Sequence, residues 1–251
     1  MNPHAFAGQF LEKRGLSRPD GRPLYAYRCK PDEFDELAGS LHRCSERSAT
    51  AFEFGLFCLF AAEWWRREHW SGPWKWAGIL ESVGLDGVSF PRLYRIIEIG
   101  LGYWRRPLLH IGTGRGFLIT LACEGGLPLQ LVRCEGAKLR HYFEALLDEF
   151  HLSRERGEDP AVLADKVAGR LPPSLRHEVV YRLGGDLVNT IWELRSAIGN
   201  SKTPVRDLDV VQPRWRDELP LEVDDDVARV LLNPLVEKAA VLTRRRAARI
   251  R

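Results

Sequence analysis

Apolar side chains recur at helical spacing along most of this chain, and at strand spacing in only a few short places. Residues 3–14 predict a short helix that ends before Gly15. The RPDGRP stretch carries a Pro-Asp-Gly turn signal, and the LYAYRC that follows has the period-two look of a strand. KPDEFDELAGSLHRC returns to helical period, with Phe34, Leu37 and Leu41 on one side. Together these predict a small N-terminal α/β cap over residues 1–45. From Ser48 to Trp70 the pattern is one long helix whose middle, Phe54 to Ala62, is apolar on every face, as for a helix enclosed by others. Its end, EWWRREHW, turns amphipathic, and Ser71-Gly72-Pro73 stops it.

The remaining stripes continue the helical theme. Ser89 is placed to cap a helix from Phe90 to Trp104 carrying Leu93, Ile96, Ile97, Leu101 and Trp104. Leu139, Tyr142, Phe143, Leu146, Leu147 and Phe150 form the cleanest stripe. Asp159-Pro160 reads as a cap and first turn, Ser174 as another cap, and Leu187, Val188, Ile191, Trp192, Arg195 and Ile198 trace one more helix. Residues 199–222 predict a Pro-containing loop in which LDVV has strand character. Asp224, Asp225 and Asp226 then open a last helix with a kink at Asn233-Pro234. The fold class expected is mostly α, a multi-helical array of about nine orthogonally packed helices with the small N-terminal α/β element. Residues 46–151 form the expected helical core and 152–251 a second helical group. Their boundary is placed near Leu152 in the charged SRERGEDP segment, and one continuous domain is the alternative.

Composition changes this picture little. A 45% apolar share and 28% charged residues describe an ordinary folded globule, and eleven Phe, eight Trp and six Tyr can fill a sizeable core. With 37 basic against 34 acidic side chains, a net charge of +3 does not announce a nucleic-acid binder; only local patches could. The five cysteines (Cys29, Cys44, Cys58, Cys123, Cys134) make no CxxC pair or zinc spacing. Their odd number, behind a start with no export signal, points to reduced thiols in a cytoplasm. FGLFCLFAA is too short to span a membrane, since about 20 apolar residues are needed.

Three groups of residues carry candidate chemistry. PLLHIGTGRGFLITLACEGG imitates the first turn of a dinucleotide-binding unit: Gly112, Gly114 and Gly116 follow a strand-like run, and Glu135 falls where a ribose-binding acid would lie. That reading gives an S-adenosylmethionine-dependent methyltransferase as the alternative function. The largely helical character of residues 136–251 and the Gly125-Gly126-Leu127-Pro128 break weigh against it. In the second group Trp64, Trp65, Trp70, Trp74 and Trp76 lie among Arg66, Arg67, His69 and Lys75, where rings could stack on bases and cations hold phosphates; indoles packed in the core are the plainer reading. Third, Arg244, Arg245, Arg246, Arg249 and Arg251 could grip phosphate or an acidic partner, or form a solvated helix end. Arg92, Arg95, Arg105 and Arg106 could add a basic ridge. Seven histidines make no HExxH or HxH pair, and neither a GxSxG elbow nor a P-loop occurs. No catalytic set, metal site or cofactor is expected.

Four phrases carry a family resemblance: DGRPLYAYRCKPDEFDEL, AAEWWRREHWSGPWKW, ACEGGLPLQLV and RWRDELPLEVDDDVARVLLNPLVEKAA. Spread over most of residues 18–240, they resemble the N-terminal region of a large, little-characterised family encoded in bacterial defence islands. They are also similar to the accessory subunit that partners a long helicase in Druantia-type anti-phage systems. The resemblance implies a helical setting for the glycine loop, a chain shorter than its relatives, and a helicase as partner; DNA is the partner that the basic patches suggest. It carries over no catalytic residues. The function expected is a non-enzymatic defence component acting through protein or nucleic-acid contacts at the Trp64–Trp76 region and the C-terminal arginines.

Overall fold

The computed structural model describes residues 3–41, 50–69, 75–111, 114–156, 163–198 and 202–249. The chain divides into two compact units, residues 1–128 and 129–251. The division falls at Pro128–Leu129; Leu152, where the sequence suggests a boundary, lies inside a continuous helix.

The first unit is built on one buried helix. Its elements are α1 (Pro3–Glu12), a 3₁₀ turn (Leu24–Ala26), α2 (Pro31–Leu41), α3 (Ala51–Glu68), α4 (Ala77–Glu81) and α5 (Phe90–Tyr103). A minimal hairpin of β1 (His110–Ile111) and β2 (Gly114–Arg115) and then α6 (Phe117–Gly125) complete it. Thr50 starts α3 with a reciprocal cap: its hydroxyl accepts the Glu53 N–H at 3.4 Å while Glu53 accepts the Thr50 N–H at 2.7 Å. Leu56 to Ala62 are buried without a break, which explains the absence of a polar face, and α5 and α6 both pack on α3. Trp104 closes the α5 side by donating its indole N–H to the Gly55 carbonyl at 2.7 Å. Phe6, Phe10 and Leu37 join the same core.

LYAYRC is not a strand. Leu24, Tyr25, Tyr27 and Cys29 are buried as the alternation suggests, but the backbone turns as a 3₁₀ helix. Carboxylates on distant helices, not a neighbouring strand, take the Leu24 and Cys29 amide protons, while those of Ala26 and Tyr27 bond the Pro23 and Leu24 carbonyls within the turn; among the described residues β1 and β2 form the only sheet.

The second unit packs α7 (Leu129–Arg156), α9 (Glu178–Ala197) and α12 (Asn233–Arg249) together, with α8 (Leu163–Val167), α10 (Leu208–Val211), α11 (Asp225–Val227) and several 3₁₀ turns around them. The expected stripe of α7 is fully buried, from Leu139 through Phe150. Arg195, itself buried, joins α9 to α12 through a 3.1 Å bond from Nε to the Val236 carbonyl, and Lys238 on α12 meets Asp148 on α7 at 2.6 Å. α9 is capped not by Ser174, which lies in a 3₁₀ turn, but by His177, whose Nδ1 accepts the Val179 N–H at 3.3 Å. LDVV is the helical turn α10, not a strand. Asp224 caps α11 through the Val227 N–H at 2.8 Å, as the acidic run predicts. The expected irregularity at Asn233-Pro234 is a π turn over Ala228–Leu232, which widens the helix just before the proline that cannot donate an amide bond. Asp159-Pro160 lies outside the described residues. Among the described residues, no single helix is long and apolar enough to cross a membrane.

Candidate functional site

The tryptophan–arginine cluster at the end of α3 is turned inward. Glu63 explains why: this carboxylate is 2% exposed and demands cations and donors around it. Arg66, 1% exposed, places Nη2 2.5 Å from Glu63 Oε2, and Arg67 donates from Nε to the same oxygen at 3.1 Å. Arg67 also donates to the Cys29 carbonyl and lies 5.1 Å over the Phe34 ring, while the Cys29 N–H returns a 3.1 Å bond to Glu63 Oε1. Burial pushes the Cys29 thiol well above its ordinary pKa. Trp65 is buried, stacks on His69 at 4.0 Å and donates its indole N–H to the Gly126 carbonyl at 3.1 Å. Trp64 is half-buried against Gly78. Lys75 is exposed, whereas Trp70 and Trp74 lie outside the described residues. Trp65 and Arg66 are thus closed to any strand of nucleic acid, and only part of the expected surface faces solvent.

A second buried carboxylate, Glu124 on α6, accepts the Leu24 N–H at 3.0 Å and the Arg106 guanidinium at 2.8 Å. Arg106 also donates to the Gly21 carbonyl at 2.9 Å, which removes it from the expected basic ridge; Arg92, Arg95 and Arg105 stay exposed. The next residue, Gly125, sits so close to α3 that a Cβ there would lie 2.2 Å from the Ala62 carbonyl oxygen. Gly126 ends α6 with φ of 86°, the left-handed conformation that favours glycine. Three of the sequence phrases quoted above, LYAYRC, AAEWW and ACEGGLP, therefore meet at one place. They hold residues 20–30 onto α3 and α6. Glu33 extends the clamp: burial opposes its ionisation, but Arg14 at 2.8 Å and the Lys30 N–H outweigh that and hold its pKa below the usual carboxylate value. Nothing in sequence reasoning singled out Glu63, Glu124 or Glu33, although a lone carboxylate inside an apolar helical run was the available signal for the first two.

The two strands that flank residues 112–113 pair as a hairpin. β1 and β2 are antiparallel, with His110 opposite Arg115, whereas a dinucleotide-binding turn joins parallel strands through a helix. The Gly116 N–H bonds the Leu109 carbonyl at 2.9 Å, and Thr120 ties both ends by accepting from the Leu109 N–H at 3.0 Å and donating to the Gly116 carbonyl at 2.7 Å. Gly114 is exposed in β2, and Gly112 lies outside the described residues. Glu135 belongs to α7 in the second unit, with Lys138 2.6 Å away. Asp224, besides its capping role, meets Arg133 at 2.9 Å. Among the described residues, no group of three or more His, Cys, Asp or Glu side chains is arranged to hold a metal ion.

On α12 the buried side chains among the described residues are Leu235, Val236, Ala239, Ala240 and Leu242. Arg244 is exposed, and its Nε donates to the Ala240 carbonyl at 3.2 Å. The helix continues to Arg249, so Arg245, Arg246 and Arg249 occupy its last turns, their side chains lying outside the described part; Arg251 lies outside the described residues. From residue 238 to 251 the sequence has six cations and no carboxylate.

The family model of the YjiT N-terminal domain matches residues 2–127, and that of the YjiT second domain matches residues 134–248. The chain belongs to the YjiT family. The two matched segments coincide with the two compact units, and both are helical. Protein YjiT of Escherichia coli (strain K12) is 30% identical over 248 residues, covering 94% of this chain and 47% of that protein. This YjiT-family chain therefore spans about half the length of the curated relative it matches. No solved structure matches it.

Proposed function

We propose that this chain is a non-enzymatic contact module of a YjiT-family protein, and that it binds nucleic acid electrostatically through the arginine-rich end of α12. The supporting observation is the abrupt change along that helix. Leu242 is buried, Arg244 is exposed, and the sequence that follows adds cations with no carboxylate to neutralise them. Clustered arginines on a helix end suit phosphate oxygens, which they can engage with paired N–H donors. Action in bacterial anti-phage defence, beside a helicase partner, belongs to the same proposal and rests on the resemblance of the quoted phrases. The test is fluorescence anisotropy of the purified chain with labelled duplex DNA at low salt, against a variant carrying Arg244→Ala, Arg245→Ala and Arg246→Ala. Binding that collapses in the variant supports the reading. Binding absent from the parent chain overturns it and directs the search to a protein partner.

A further inference from the structure

In the second unit a cavity of about 280 Å³ lies between α9 and the segment that follows α10. Among the described residues its lining is rich in hydrogen-bonding groups: Asn189, Thr190 and Glu193 from α9, and Gln212 and Glu218 from the later segment. Leu194 and Trp215, both buried, add apolar surface. Asn189 and Glu193 are four residues apart and so share one side of the helix. Asp209 steadies the other wall: it accepts the Trp215 indole N–H at 2.8 Å and pairs with Arg216 at 3.1 Å. The Glu193 charge is matched by Arg154 of α7 at 2.5 Å. Glu218, in contrast, is exposed and makes no ion pair among the described residues, where the Asn189 and Gln212 side chains also make no hydrogen bond. Next to Gln212, Val210 and Val211 are 82% and 54% exposed.

We infer that this cavity receives an arginine side chain of a protein partner, with apolar neighbours of that arginine resting on Val210 and Val211. The lining offers carboxylate, amide and hydroxyl oxygens to a group with many N–H donors, and the Glu218 charge is left to be neutralised. A guanidinium supplies five donors in a planar fork with one positive charge, and it meets a carboxylate through two parallel bonds. The volume suits a single side chain and falls below that of most sites for drug-sized ligands. Phosphate is the wrong charge, since it would approach Glu218 and Glu193. The valines decide between a peptide and a free guanidine: a small metabolite leaves them in water, whereas apolar residues flanking an arginine cover them. This site shares neither residues nor ligand chemistry with the α12 reading, and the two stand or fall separately.

The test is an NMR titration of the full, nitrogen-labelled chain, read at the Trp215 indole N–H and at the Asn189 and Gln212 side-chain amides. The probes are an acetylated leucyl-arginyl-leucine amide, its glutamyl counterpart and free arginine amide. The arginyl peptide is expected to shift these signals saturably and the glutamyl peptide to leave them in place. Glu218→Gln weakens the arginyl peptide about fivefold. Val210→Ser with Val211→Ser weakens the peptide about tenfold but leaves free arginine amide unaffected. All three positions are exposed, so the melting temperature stays where it is. No saturable shift, equal shifts with the glutamyl peptide, or an affinity untouched by Glu218→Gln overturns the site. Free arginine amide binding as tightly as the peptide makes it a pocket for a small guanidine and overturns the docking surface. Shifts of the same signals that appear on concentrating the chain alone, and vanish when Arg244, Arg245 and Arg246 are Ala, make a second copy the occupant and overturn it equally.

Discussion

At the scale of single residues, the first unit depends on carboxylates placed where water does not reach. Glu63 neutralises the buried Arg66, anchors Arg67 and receives the Cys29 amide, so its loss would strand a charge in the core. Glu63→Gln is expected to destabilise the chain by roughly 3 kcal/mol, the scale of breaking a buried ion pair. Urea denaturation checks this, and a loss below about 1 kcal/mol, the scale of an exposed pair, would contradict the burial argument. His177 supplies a pH-dependent counterpart in the second unit. Burial lowers its pKa below the ordinary histidine value, and its neutral Nδ1 accepts the α9 capping bond. Because the folded pKa is the lower one, the contribution is present above the unfolded value and is lost as pH falls through the folded pKa. Melting temperatures compared between neutral and mildly acidic buffer should drop more in the parent chain than in His177→Asn, which can cap without titrating. An equal drop in both would remove His177 from the account.

At the scale of elements, close helix approach is set by single glycines. On α5 a Cβ at Gly100 would lie 2.3 Å from the Phe54 carbonyl oxygen of α3, whereas at Gly102 nothing lies within 4 Å. Gly100→Ala should cost about 1–3 kcal/mol through overpacking, while Gly102→Ala should be neutral or stabilise by up to about 1 kcal/mol through helix propensity. Chemical denaturation of the two variants checks the contrast, and equal effects would refute it. The long helices were legible in the sequence because their signals are local: α5, α7, α9 and α12 carry stripes at helical spacing, and α3 carries an apolar run with a charged, amphipathic end. LYAYRC was not, because Leu24 and Cys29 bond carboxylates 100 and 34 residues away. A period-two pattern shows which side chains are buried but not what takes the backbone protons. The same holds for the tryptophan cluster: charge and aromaticity were visible, but the inward pull of Glu63 on Arg66 and Arg67 is a tertiary fact. The arginines after Leu242 were visible as a run, since no fold is needed to see cations without carboxylates.

At the scale of the whole molecule, two helical units correspond to the first two domains of a longer family, and their overall charge is nearly balanced. Net charge therefore cannot drive the proposed binding, which rests on the local excess at the end of α12. That makes ionic strength the most direct probe. The decisive measurement is the slope of log affinity against log salt for labelled duplex DNA, in the parent chain and in the Arg244→Ala, Arg245→Ala, Arg246→Ala variant. Each phosphate contact contributes about 0.9 to that slope for duplex DNA. The account predicts a steep slope in the parent chain that becomes shallower by roughly two to three in the variant. A slope that is flat in the parent chain, or the same in both, would contradict it.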